Sequence, residues 1–279
     1  MTETPLPDRP LDRFMALHGA LMADKRWFED PSSLSYAASS LITVPGSPES
    51  VARQLKDAAK SLADQSSWYG PLKGTVRFVI AALLLQSDRP VARFVTEVAR
   101  TEVLFKERKL ARGNAYSALS ALLLMAQASR AGRTVDAAAV GRMADLYAEM
   151  RKEHSLLTGH DDLPSCALLM SLDGSPSSIS SRCEVFYDGL RDLGFKRGNA
   201  LQSVSHMLVF APDDDAALMQ RFRRLYRAFD DAGLWMHTGD YDEVASLSFL
   251  DLAAEAVVRR VLEHRALIDT LKPKPGKEL

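Results

Sequence analysis

The chain has 279 residues, 47% of them hydrophobic and 25% charged, with a formal net charge of -1. Such a composition suits a globular protein with a large core and excludes disorder for the bulk of the chain. The near-neutral balance also lacks the basic excess of a protein that neutralises many phosphates, so no nucleic-acid partner is expected.

Apolar residues recur at intervals of three and four along the chain, and runs of β-branched residues are few, so the expected fold class is all-α. The first copy of a four-helix pattern, A to D, places A from Arg13, B from Ser33, C from Pro48 and D from Thr75. At C, "SPES" reads as a Ser47 cap, Pro48 at the first helical position and Glu49 in the first turn. The second copy starts its helices at Arg93, Asn114, Val135 and Asp161, and the third at Ser178, Asn199, Asp213 and Asp240. In "VDAAAVGRMADLYAEMRKEH" of the second C helix, Val140, Met143, Leu146, Tyr147 and Met150 form one stripe, with Arg142, Asp145 and Glu149 opposite. "PDDDAAL" at Pro212 opens the third C helix with carboxylates, which suit its first turn.

The copies are marked by internal matches. Tyr36 in "LSYAASSL" aligns with Tyr116 in "NAYSALSAL", and "RGN" recurs at Arg112 and Arg197; "LYAEM" at Leu146 and "TGHDD" at Thr158 align with "LYRAF" and "TGDYD" 79 to 80 residues later. The resulting expectation is three tandem four-helix repeats, at about residues 11–92, 93–177 and 178–252, stacked as an α-solenoid or a closed α/α toroid. A C-terminal capping helix at 253–271 completes one helical domain of residues 1–270, and 272–279 reads as a disordered tail. Within the unit, Gly113 and Gly198 are read as left-handed stops of helix A, and Asn114 and Asn199 as caps of helix B.

No GxSxG, GxGxxG, P-loop, HExxH or EF-hand pattern is present. Cys166 and Cys183 lack CxxC spacing, so neither a disulfide framework nor a zinc knuckle is expected; both read as buried thiols in a reducing cytoplasm. "MTETPLPDRP" lacks the basic and apolar regions of a leader, and "VIAALLL" is far too short for a membrane span, so the expected location is cytoplasmic with no membrane partner. His18 and His206 read as hydrogen-bonded core or boundary residues on apolar helical stretches.

Chemistry-bearing side chains gather instead in two C–D turns. "EHSLLTGHDDLPSC" brings His154, His160, Asp161 and Asp162, and "LWMHTGDYDE" brings Trp235, His237 and Asp240. Imidazole beside carboxylate is the pairing that binds a metal or shuttles a proton. The same types also cap helices: Thr158, Asp161, Thr238, Asp240 and Asp242 are placed to cap helix D, and the spacing is not that of a metal set. No cofactor or metal ligand is assigned. Trp68 joins the candidates because A–B and C–D turns of an up-and-down array emerge at one end, where aromatic and charged residues would form a binding edge.

The segments "RFMALHGALM", "YSALSALLLMA", "EMRKEHSLLTGHDDLPSCALLMS" and "GLWMHTGDYDEVASLSFL" resemble the uncharacterised bacterial family known as domain of unknown function 4003, over most of the chain. The resemblance implies an all-helical protein and brings no activity, cofactor or catalytic residue to these positions. Two functions stay open: a non-enzymatic repeat protein that engages a protein, peptide or small ligand through the turn edge, or an enzyme or ligand-binding toroid with a pocket built on His160, Asp161, His237 and Asp240.

Overall fold

In the computed structural model, which describes residues 6–271 apart from 28, 66–71, 73, 155, 156 and 213, the described residues form thirteen α-helices and no strand. These are α1 (Pro10–Ala23), α2 (Pro31–Ser40), α3 (Pro48–Gln65), α4 (Val76–Gln86), α5 (Val91–Glu107), α6 (Ala115–Arg130) and α7 (Ala137–Glu153). They continue with α8 (Leu163–Leu169), α9 (Pro176–Asp192), α10 (Asn199–Leu208), α11 (Asp215–Asp231), α12 (Tyr241–Leu247) and α13 (Ala254–Ile268). The expected tail at 272–279, Trp68 and Tyr69 lie outside the described residues. No helix among the described residues is long and apolar enough to cross a membrane.

Helix starts follow local cap chemistry. Ser47 accepts from the Ser50 amide at 3.3 Å, Asn114 from Ser117 at 2.9 Å and Asp214 from Ala217 at 2.9 Å, each satisfying an amide that the helix itself leaves unpaired. Asn199 departs from expectation: it is the first residue of α10, and Gly198 occupies the cap position without a side-chain cap.

Helix stops depart as well. The left-handed residue that ends α5 is Lys109 at φ +57, where the Leu110 amide reaches back to the Phe105 carbonyl at 2.9 Å. Gly194 at φ +97 and Gly233 at φ +79 end α9 and α11 by the same wrapping bond, from Phe195 to Leu190 and from Leu234 to Phe229. Gly113 and Gly198 come later. Both have positive φ, but they turn the chain into the next helix and do not end the previous one.

The Arg-Gly-Asn phrase is held by one contact made with two chemistries. The Gly113 amide donates to the Glu102 carboxylate at 2.8 Å, and Ser117 Oγ donates to the same oxygen at 2.9 Å. The Gly198 amide donates to the Tyr187 hydroxyl at 3.3 Å. Glu102 and Tyr187 stand 85 positions apart, the offset that also separates the two glycines.

The helices group into two compact units, one comprising residues up to Val135 and from His264 on, the other Asp136–Glu263. In the first, α1 packs on α2 and α3, α4 on α2 and α3, and α5 on α3 and α6. Leu17, Leu34, Leu55, Phe78, Ile80, Phe94 and Phe105 are buried there. In the second, α9 packs on α7, α10 and α11, while α10 also meets α8 and α12. On α11, Leu218, Phe222, Leu225 and Phe229 are buried at helical spacing; each such side chain contributes about 1.5–3 kcal/mol on leaving water. Gly189 permits the close approach of α9 and α11, since a Cβ there would strike the Met219 sulfur.

Candidate functional site

The turns that flank α9 to α12 are built around aromatic rings. Phe195 lies 4.8 Å from Phe222, 5.2 Å from Tyr226 and 5.5 Å from Tyr241 between ring centres, the last two edge-on. The polar ends of two rings fix backbone: Tyr241 Oη accepts from the Lys196 amide at 3.2 Å, and Tyr226 Oη donates to the Met236 carbonyl at 3.1 Å. The α9–α10 turn and the α11–α12 turn are therefore tied to one rigid cluster. In the turn that Tyr226 ties down, Trp235 is 79% exposed and held at φ +38, a backbone region that a bulky residue enters only at a cost. His237, two residues on, is exposed, as are Lys196 and Arg197 in the α9–α10 turn.

The two carboxylate-rich turns are spent largely on their own backbone. Asp162 Oδ2 accepts from the Gly159 amide at 2.8 Å, and Asp240 Oδ2 accepts from the His237 amide at 2.6 Å. Each closes a single 3-10 turn, His160–Asp162 or Thr238–Asp240, that leads into α8 or α12. The equivalent carboxylates are thus Asp162 and Asp240, 78 positions apart, and the match of Thr158 to Thr238 is two residues out of register. What recurs is an acceptor three residues after an amide. The caps expected from Thr158, Asp161 and Thr238 are not made: Thr158 is buried, Thr238 is exposed, and the Asp161 side chain lies across Gly159. Burial pushes the Asp162 carboxyl up, the Gly159 amide opposes this, and the neighbouring Asp161 adds to it.

His160 and His237 are exposed. Among the described residues no three His, Cys, Asp or Glu side chains come together as a metal site. His160, Asp161, His237 and Asp240 are accordingly not gathered into a metal centre.

His154 leaves the turn and faces α9. Its Nε2 lies 2.8 Å from Glu184 Oε2, an ion-pair distance without the alignment of a hydrogen bond, and its ring centre is 4.4 Å from that of Tyr187. Burial pushes the Glu184 carboxyl up, and His154 pulls it back down. Glu184 was not a candidate from sequence, because its partner is thirty residues away and nothing local announces it.

Deeper in the same unit lies a buried polar set that the sequence reading also passed over. Gln202 Nε2 donates to Thr158 Oγ1 at 3.1 Å, while Gln202 Oε1 is buried with no partner. One turn on, His206 is 5% exposed and its Nδ1 has no hydrogen bond. Burial and nearby His154 lower its pKa to about 4. In the first unit, both ring nitrogens of buried His18 lack partners, and burial lowers its pKa too. The expectation of hydrogen-bonded histidines is corrected at both positions: they are buried and neutral-favouring, but bare. The only signal was a polar pair, Gln202 and His206, four apart on the buried face of α10.

Cys166 and Cys183 are buried free thiols, as expected; burial raises both, Cys183 to about 12.

Comparison with known proteins gives a family and adds no chemistry. One curated relative, "Uncharacterized protein YeaA" of Bacillus subtilis (strain 168), is 26% identical over 137 residues, which is 49% of this chain and 41% of the relative's length. The chain thus matches less than half of that protein. No solved structure matches it. A family profile, described as Protein of unknown function (DUF4003), matches residues 20–278. With nearly all of its length inside that match, the chain belongs to the DUF4003 family.

Proposed function

We propose that this chain is a non-enzymatic helical-repeat protein that binds a protein or peptide partner through an edge formed by its A–B and C–D turns. In this reading the helices are three copies of a four-helix unit, α1–α4, α5–α8 and α9–α12, stacked as a solenoid or closed toroid and capped by α13. Support for the repeat comes from the element order and from the Gly113 and Gly198 amides, each held by a side chain 11 residues before it.

Trp235 carries the binding reading. A large ring kept 79% exposed, on left-handed backbone and in a turn tied to an aromatic cluster, supports a contact role. Exposed Lys196 and Arg197, joined to the same cluster through Tyr241, favour an acidic segment on the partner. The capping carboxylates of both C–D turns already serve the backbone, which makes them poor general bases.

The test is capture from a lysate of the source organism on immobilised wild type, Trp235→Ala and Lys196→Glu, with Arg260→Ala as a surface control. A set of proteins competed by free wild type, lost from the first two variants and kept by the control, supports the reading. Equal capture by all four, with helicity intact, refutes it.

A further inference from the structure

Between α8 and α10, and closed by the turns that follow α10 and α12, the second unit has a depression of about 230 Å3. Leu168, Met207, Phe210 and Phe249 supply apolar walls, Ser203 adds a hydroxyl, and His206 lines it as well. No charged side chain takes part in the lining. The volume lies below the usual range for drug-sized ligands and suits a single ring or a short alkyl body.

His206 is the feature that the fold leaves unexplained. A neutral imidazole offers one donor and one acceptor, and a buried one normally finds a partner for each. Here Nδ1 is sealed off without a partner, which leaves Nε2 as the ring nitrogen for a molecule in the depression to meet. The architecture does not call for this residue: the offset that aligns Gly113 with Gly198 puts buried Ala121 at the matching place on α6. A molecule in the depression leaves Nδ1 as it is and gives the ring a hydrogen bond at its other nitrogen, which the apolar walls do not supply.

We infer that this depression is a binding site for a small neutral molecule with an apolar body and one hydroxyl, which hydrogen-bonds to the His206 ring. A hydroxyl both donates and accepts, so it serves the open nitrogen in either tautomer. The uncharged walls select against anions, whose desolvation nothing in the lining would offset. The ring itself stays neutral because burial disfavours its charged form. The site is independent of the Trp235 edge.

The probe is p-cresol, with toluene as its match lacking the hydroxyl. NMR of the His206 ring nitrogens in the wild-type protein should show a saturable shift with p-cresol, and p-cresol should bind at least about tenfold more tightly than toluene, a factor worth about 1.4 kcal/mol. His206→Leu should bring the two affinities together. Leu168→Trp, which fills the depression from its rim and leaves the imidazole in place, should abolish both. Trp235→Ala should change neither, so that the fate of the partner edge and of this site are read separately. Equal affinities in the wild type, an unmoved His206 signal at saturation, or undiminished p-cresol binding in Leu168→Trp would each overturn the inference.

Discussion

Neutral, buried His206 makes stability depend on pH in a way that can be measured. Its pKa is lowered from 6.5 to about 4 in the folded chain, chiefly because burial penalises the imidazolium. Above pH 6.5 neither the folded nor the unfolded state binds the proton, and the contribution is constant. As pH falls from 6.5, the unfolded state takes up a proton that the folded state refuses, so stability drops by about 1.36 kcal/mol per pH unit until about pH 4. The interval amounts to about 3 kcal/mol, of which most is spent by pH 4.5. His206→Leu removes this proton; buried His18 has the same sign and stays in both proteins, so it cancels in the comparison. Urea unfolding followed by far-ultraviolet circular dichroism at pH 7.0 and 4.5 should show wild type losing about 2–3 kcal/mol more than His206→Leu. Parallel losses, within about 0.5 kcal/mol, would mean that the folded ring accepts the proton readily and would refute the burial argument.

Four further outcomes follow from the geometry. Lys109→Gly should raise stability by about 1 kcal/mol in thermal unfolding, because φ +57 costs a side-chain-bearing residue and not glycine; Gly194→Ala should lower it. Glu102→Ala should cost about 1–2 kcal/mol and Tyr187→Phe about 0.5–1 kcal/mol, with faster hydrogen exchange at Gly113 and Gly198 respectively. Asp240→Ala should cost about 1 kcal/mol in the same assay by freeing the His237 amide. Cys166 and Cys183 should resist a thiol-specific disulfide reagent at pH 8 in the folded protein and react after denaturation, since burial raises both thiols.

The legible part of this chain was what neighbours in sequence decide. Helix starts at Pro48 and Ala115 follow from Ser47 and Asn114, whose oxygens reach amides only three residues on. The end of α5 was not legible, because Lys109 adopts the left-handed conformation without the glycine that marks Gly194 and Gly233. The C–D turns share a Thr-Gly string in sequence, whereas the fold repeats the capping carboxylate of Asp162 and Asp240, two residues out of that register. His154 was read with its turn neighbours and turned out to meet Glu184 on α9. His206 was placed on an apolar face correctly, but whether a neighbouring helix supplies a hydrogen bond is a tertiary fact that periodicity does not carry.

The paired Arg-Gly-Asn turns differ in what can disturb them. At Gly113 the acceptor is a carboxylate oxygen that also takes the Ser117 hydroxyl, so truncating Glu102 removes two hydrogen bonds. At Gly198 it is a phenol oxygen that takes the amide alone, so removing the Tyr187 hydroxyl costs one. Two backbone shapes drawn from one phrase are therefore unequally anchored, and loss of its acceptor would loosen the Gly113 turn more than the Gly198 turn.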